Sequence, residues 1–280
     1  MRRWLRCSGT SLATCSVRHT SAHHGFGWSS TCNNGDVKLA SSYPIGEQLA
    51  DDPVVWVIDD FLSPEERLHV IGIAAPRLEE AKVTSTRVNT TSAARTGSVA
   101  WVRYGDSPQV QEIIHRVSDL VGIPPHHSES MQVVHYAETQ EYRPHFDGWD
   151  LRTEKGRLRT ENGGQRVLTA LMYLNDVAGG GGTSFPKLDL EVEAKPGRLV
   201  IFHNIEDEAT NLHQRSLHGG MPVGDGEKWA CNLWFRAKPY KAGGNRGSKP
   251  VAASRRTGGG QPGNRAARRR KKKRRAAHSG

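Results

Sequence analysis

Two imidazoles, one carboxylate and one lysine carry the chemistry this chain can do. His145 and Asp147 lie two residues apart in Tyr142-Arg-Pro-His-Phe-Asp147, and His218 follows far downstream, ten residues before Lys228. Two histidines and one acid form the ligand set that holds non-haem Fe(II) on one face and leaves the opposite face open. Residues two apart on a β-strand leave the same face, so His145 and Asp147 are expected to converge from one strand, with His218 completing the set from another. Lys228 then supplies a positive charge that could anchor the far carboxylate of a metal-chelating acid. The reading these residues give is an iron oxygenase. Thirteen histidines make a chance third ligand easy to find, and His203 and His213 compete with His218. The spacing to Lys228 and the strand that follows favour His218.

Such a site needs strands to position it. The short apolar run Pro53-Val-Val-Trp-Val-Ile-Asp59-Asp60-Phe61 reads as a first strand. Ser63-Pro64-Glu65-Glu66 carries three agreeing helix-start signals: a capping serine, proline in the first helical position, and glutamate three after the cap. A second helix is expected from Pro108 to about Leu120, ending at Gly122, because Val110, Ile113, Ile114, Val117 and Val121 recur at helical spacing. Between the helices, Arg95-Thr-Gly-Ser-Val-Ala-Trp101-Val looks extended. From Met131 onward the period changes. Met131–Ala137, Val167–Leu174, Arg198–His203 and Trp229–Phe235 are strand-like runs separated by glycine-rich turns. Two helices followed by many short strands predict an α+β fold, an antiparallel sandwich or jelly roll with the N-terminal helices packed on one sheet.

The charge is unevenly distributed. Of 280 residues, the first 35 hold four arginines and no acid, and residues 238–280 hold fifteen Lys or Arg and again no acid. Between 36 and 237, 29 acids face 20 basic residues, leaving nine negative charges in formal excess although the whole chain carries +10. A nucleic-acid-binding core is therefore excluded by charge, and only the tail keeps that reading. Residues 1–50 form an expected leader, a disordered extension or a targeting segment, Arg- and Ser-rich at its start with the composition of an organellar transit peptide. Residues 241–280 form an expected disordered tail, ending in Arg268-Arg-Arg-Lys-Lys-Lys-Arg-Arg275, suited to a nucleic acid, an acidic partner or a nuclear address. Between them, residues 53–240 make one catalytic domain. Cys231 is the lone cysteine of this core, so no disulfide forms within it, and no stretch is apolar enough to span a bilayer.

From Trp56 to Phe235 the chain resembles the catalytic domain of prolyl 4-hydroxylases, within the 2-oxoglutarate- and Fe(II)-dependent dioxygenases. Eight blocks carry the resemblance in order: Val57-Ile-Asp-Asp-Phe-Leu62, Arg95-Thr-Gly-Ser98, Gln132-Val-Val-His-Tyr136, Tyr142-Arg-Pro-His-Phe-Asp147, the run Gly164–Leu174, Gly181-Gly-Thr-Ser-Phe-Pro186, the run Lys195–Phe202, and Ser216-Leu-His-Gly-Gly with Lys228-Trp229 and Trp234. The resemblance implies a double-stranded β-helix in which His145, Asp147 and His218 hold iron and Lys228 binds the far carboxylate of 2-oxoglutarate. It implies further that Tyr136 and Thr183 touch that acid, and that Arg166, Tyr142 and Trp234 line the mouth where a peptide lies. Ascorbate is a family expectation as well. The lone Cys231 departs from many secretory relatives, which carry cysteine pairs, and weakens an endoplasmic-reticulum expectation.

The function expected on these grounds is hydroxylation of a prolyl residue in a peptide or protein, with release of succinate and carbon dioxide. Two alternatives stand beside it. One is oxidative demethylation of nucleic acid by the same cofactor chemistry; such enzymes bind 2-oxoglutarate through arginine, which Lys228 argues against. The other is a binding protein on an oxygenase fold whose basic tail is the functional part; the intact ligand set argues against decay.

Overall fold

A computed structural model of the protein describes residues 37–84, 89–91, 96–206 and 211–241. The start of the expected leader, Arg95 and the basic tail from residue 242 lie outside the described residues. The folded chain begins earlier than the expected boundary at residue 53. Glu47–Asp51 forms an edge strand on Val54–Ile58, and Tyr43 is buried against Trp56. The sequence hides this strand because three of its five residues are exposed and none is buried, so it lacks an apolar run.

Eight antiparallel strands build the major sheet in the order Glu47–Asp51, Val54–Ile58, Leu199–His203, Arg166–Tyr173, Lys228–Arg236, Met131–Tyr136, Ser98–Val102 and Glu79–Glu80. A four-stranded sheet runs Leu190–Val192, Thr183–Phe185, His218–Gly220 and Tyr142–His145. The four strand-like runs expected from Met131 onward are all present, each within one residue of its expected ends.

Period-two alternation sorts the major sheet into two cores. Along Lys228–Arg236, Trp229, Cys231, Leu233 and Phe235 join the core beneath the helices. Ala230 belongs to the second core, between the two sheets, with Tyr136, Tyr173 and Phe202 of the major sheet and Phe185 and Val192 of the smaller one. Both faces of the central strands are buried, so those strands read as continuous apolar runs. This is a double-stranded β-helix with helices on one outer face, an α+β fold as expected.

The helices form where their signals lie. In α1 (Pro64–Ala74) the Ser63 hydroxyl accepts from the Glu66 backbone N–H at 3.2 Å and the Glu66 carboxylate accepts from the Ser63 N–H at 2.9 Å. Glu66 also pairs with Arg116 of α2 (Pro108–Val121), so the same carboxylate links the two helices. Ser63→Ala is expected to destabilise the fold by about 1 kcal/mol, read as a lower denaturant midpoint with unchanged slope. α2 buries Val110, Ile113, Ile114, Val117 and Val121 and stops at Gly122, whose φ of 68° few other residues adopt. A third helix, Glu154–Thr160, was not foreseen; Gly156 in its first turn obscures it. No helix among the described residues is long and apolar enough to cross a membrane.

Candidate metal and cosubstrate site

His145, Asp147 and His218 meet at the edge of the smaller sheet. One ligand atom from each lies within 4.8 Å of the others. His218 stands directly opposite His145 in the antiparallel register, and their rings are 4.5 Å apart. Asp147 arrives differently from expectation. The strand ends at His145, and the chain bends at Asp147 and Gly148, where the carboxylate meets the two rings. Asp147 Oδ1 lies 3.6 Å from His145 Nε2 and Oδ2 lies 3.4 Å from His218 Nε2.

Both rings are oriented by the backbone two residues earlier. His145 Nδ1–H donates to the Arg143 carbonyl at 3.1 Å, and His218 Nδ1–H donates to the Ser216 carbonyl at 2.9 Å. A carbonyl only accepts, so each Nδ1 carries the hydrogen and each Nε2 turns its lone pair to the cluster. Burial, then repulsion from His218, holds the His145 pKa below its ordinary value. Burial raises the Asp147 carboxyl, but His218 and His145 outweigh it and hold the group well below the usual carboxylate range. The donor set is thus two imidazole lone pairs and one carboxylate, facing each other. That fits Fe(II).

The competing histidines are engaged elsewhere. His203 shares a hydrogen bond of 3.0 Å with the Tyr43 hydroxyl, and His213 pairs with Asp52 at 2.7 Å.

Lys228 lies at the start of its strand, opposite Tyr136, and lines the same cleft as the triad. It is 3 % exposed, and Nζ donates only a long contact of 3.5 Å to the Gly182 carbonyl. Among the described residues no carboxylate pairs with it. Burial pushes the ammonium down to about 7. A buried cation without an anion is costly, and a ligand carboxylate relieves that cost. Tyr136 and Tyr173 turn their ring faces to Nζ at 5.9 and 5.2 Å. Tyr173, which the sequence reading missed, shares a hydrogen bond of 2.7 Å with the Thr183 hydroxyl. Gly97 backs this wall: a Cβ there would meet the His135 carbonyl and the Tyr136 ring, each at 2.5 Å. Gly97→Ala is expected to cost about 1–3 kcal/mol by overpacking and to raise the 2-oxoglutarate KM by displacing Tyr136, checked by denaturation and steady-state kinetics together.

The three remaining expected residues are placed less alike. Tyr142 stacks on His145, ring centroids 3.7 Å apart, and lines the cleft. Arg166 lies over the Trp234 ring at 3.6 Å, but its guanidinium is held bidentate by the buried Glu129 at 2.6 and 2.9 Å. Arg236 binds the same Glu129 at 2.6 Å. Sequence reasoning missed Glu129 because its partners lie 37 and 107 residues away. It also missed Thr169, whose hydroxyl donates to Asp147 Oδ2 at 2.8 Å. Its signal was available: Thr169 is the one hydroxyl-bearing residue inside the buried run Val167–Met172.

Similarity to known proteins agrees with this geometry. Residues 131–236 match the model of the 2OG-Fe(II) oxygenase superfamily. The chain is 35 % identical over 216 residues to the probable prolyl 4-hydroxylase 10 of Arabidopsis thaliana, covering 70 % of this chain and 73 % of the relative. It is 31 % identical over 210 residues to a putative prolyl 4-hydroxylase of Acanthamoeba polyphaga mimivirus, covering 74 % and 84 %. Among solved structures, the 2OG complex of the viral collagen prolyl hydroxylase from Paramecium bursaria Chlorella virus-1 superposes with a TM-score of 0.52 at 28 % identity, covering 65 % of this chain and 96 % of that one. None of these relatives is a nucleic-acid demethylase. On the length and identity of these matches, the chain belongs to the prolyl 4-hydroxylase family of the 2OG-Fe(II) oxygenases.

Proposed function

We propose that this protein hydroxylates a prolyl residue of a peptide or protein substrate, with 2-oxoglutarate as cosubstrate and Fe(II) as metal. The observation that carries the reading is the pairing, in one cleft, of the His145–Asp147–His218 cluster with a buried, unneutralised Lys228. The first holds the metal, and the second answers the free carboxylate of the cosubstrate. Bound iron supplies dioxygen activation, which couples decarboxylation of 2-oxoglutarate to hydroxylation.

The protein supplies geometry. The carbonyls of Arg143 and Ser216 fix the two ring orientations before metal arrives, so little reorganisation accompanies binding. Lys228, at the strand start opposite Tyr136 and in one cleft with Thr183 and the triad, would receive the far carboxylate of a dicarboxylic acid held at the metal. Phe185 and Phe202 close over His218, with ring centroids 5.8 and 4.5 Å away, and exclude water from that flank. Tyr142 covers His145 and lines the cleft, while the Glu129-held Arg166, packed on the buried Trp234, is a rigid support outside that lining.

Succinate release with Fe(II), 2-oxoglutarate and a proline-rich peptide tests the reading, with addition of one oxygen atom to proline read by mass spectrometry. Peptide-dependent succinate matched by hydroxyproline supports it. Turnover on a methylated oligonucleotide and none on peptide overturns it.

A further inference from the structure

Thr169 lies at the centre of the major sheet, in register with Phe202 on one side and Trp234 on the other, with no exposed surface. A hydroxyl this deep must be bonded to be tolerated. Its bonds run one way. Ionised Asp147 can only accept, so Thr169 donates to Oδ2 at 2.8 Å. With its hydrogen spent, Thr169 Oγ1 accepts from the Asn204 amide at 2.8 Å. Asn204 is wholly buried, and its Oδ1 has no hydrogen-bond partner among the described residues. The amide cannot turn to relieve that oxygen without losing its donation to Thr169. Asn204 itself is fixed by its backbone, whose N–H donates to the Val167 carbonyl and whose carbonyl accepts from His213.

We infer that Thr169, keyed by Asn204, is a positioning residue that holds the Asp147 carboxylate to a single coordinating oxygen. Oδ2 carries the Thr169 hydrogen bond and lies 3.4 Å from His218 Nε2, whereas Oδ1 lies 3.6 Å from His145 Nε2 and receives no hydrogen bond from Thr169. The hydrogen bond takes up a lone pair of Oδ2 and fixes the carboxylate plane, which leaves Oδ1, on the His145 side, as the freer oxygen for a metal. The relay comes from strands Arg166–Tyr173 and Leu199–His203 with the residue after it, neither of which carries a ligand, so it ties the bend holding Asp147 to the rigid centre of the sheet. The inference rests on the metal reading of the triad.

The test uses the full chain freed of iron and titrated anaerobically with Co(II), whose visible absorption reports both affinity and coordination number. Thr169→Val, which keeps the shape and removes the hydroxyl, is expected to weaken Co(II) binding about 10–100-fold and to lower its absorption intensity as the carboxylate becomes bidentate. Thr169→Ser is expected to restore both. A purely structural role would lower Tm in the valine variant and leave the Co(II) spectrum of its folded fraction as in the parent. That result, or valine affinity within about twofold of the parent, overturns the inference. If Thr169→Val does not fold, Asn204→Ala decides: affinity reduced by about threefold or more, with Thr169→Ser near the parent, supports the relay, and unchanged affinity overturns it. Failure of the unaltered chain to bind Co(II) overturns the metal reading itself, and this inference with it.

Discussion

Lys228→Ala is expected to raise the 2-oxoglutarate KM by roughly 30-fold or more while leaving metal affinity within about threefold. Removing one partner of a buried charge pair costs about 2–5 kcal/mol, and 1.4 kcal/mol is a factor of ten. The free protein already bears the cost of burying the ammonium, because among the described residues no carboxylate neutralises Lys228. Alanine removes that cost as well, so the variant should fold at least as well as the parent. Binding and stability are thus expected to move in opposite directions. Parallel titrations of 2-oxoglutarate and Co(II) check the assignment; equal losses of both would sink it.

The same lysine sets a pH dependence. Burial places its ammonium at about 7, below its ordinary value. A bound dicarboxylate favours the charged form, so binding draws the lysine towards protonation. As pH rises through 7, the free protein loses the proton that the complex needs. The 2-oxoglutarate KM is therefore expected to rise above pH 7, approaching tenfold per unit while Lys228 keeps its proton in the complex. It should flatten below that pH, where the lysine is charged in both states. In Lys228→Ala this rise should vanish, and in Lys228→Arg it should shift out of reach because guanidinium does not deprotonate. A KM with the same pH profile in parent and alanine variant would place the titrating group elsewhere.

What the sequence made readable was what repeats locally. Ser63 and Glu66 cap one helix, the apolar stripe from Val110 to Val121 makes the other, and the strands after Met131 appear as unbroken apolar runs because both their faces are buried. The site was readable in its ligands, since His145, Asp147, His218 and Lys228 carry a spacing with chemical meaning. Its supporting groups were not. The Thr169 hydroxyl, the Asn204 amide and the Glu129 carboxylate act across the sheet on partners 22, 35, 37 and 107 residues away, and pairings of that range have no local period. Asp147 shows the limit most sharply. Alternation along a continuous strand put it beside His145 for a reason the structure does not share; the strand ends, and a bend does the work. Arg166 likewise carries the family's motif, but its neighbours, not its motif, hold it rigid against Trp234.

Asp147→Ala is expected to give the largest effect of any single change, abolishing hydroxylation and weakening metal binding more than about 100-fold. Groups that merely orient metal ligands cost 10–100-fold when removed, so losing a ligand sets a higher floor. The residual site would be two imidazoles, with the negative charge gone from the buried position between them. Asp147 counters burial and His218 at His145, so without it the His145 pKa is held lower still. Thr169 and Asn204 would keep their own hydrogen bond but lose the acceptor beyond it, leaving a buried hydroxyl hydrogen unpaired at about 1–3 kcal/mol. The variant is therefore expected to melt lower than the parent in the absence of metal, and to show no rise in Tm when Co(II) is added. Asp147→Asn separates the two contributions, since its amide oxygen can still accept from Thr169 while its charge is gone. It should recover much of the lost stability and little of the lost metal affinity. An asparagine variant that binds Co(II) as tightly as the parent would show that the carboxylate is not a ligand.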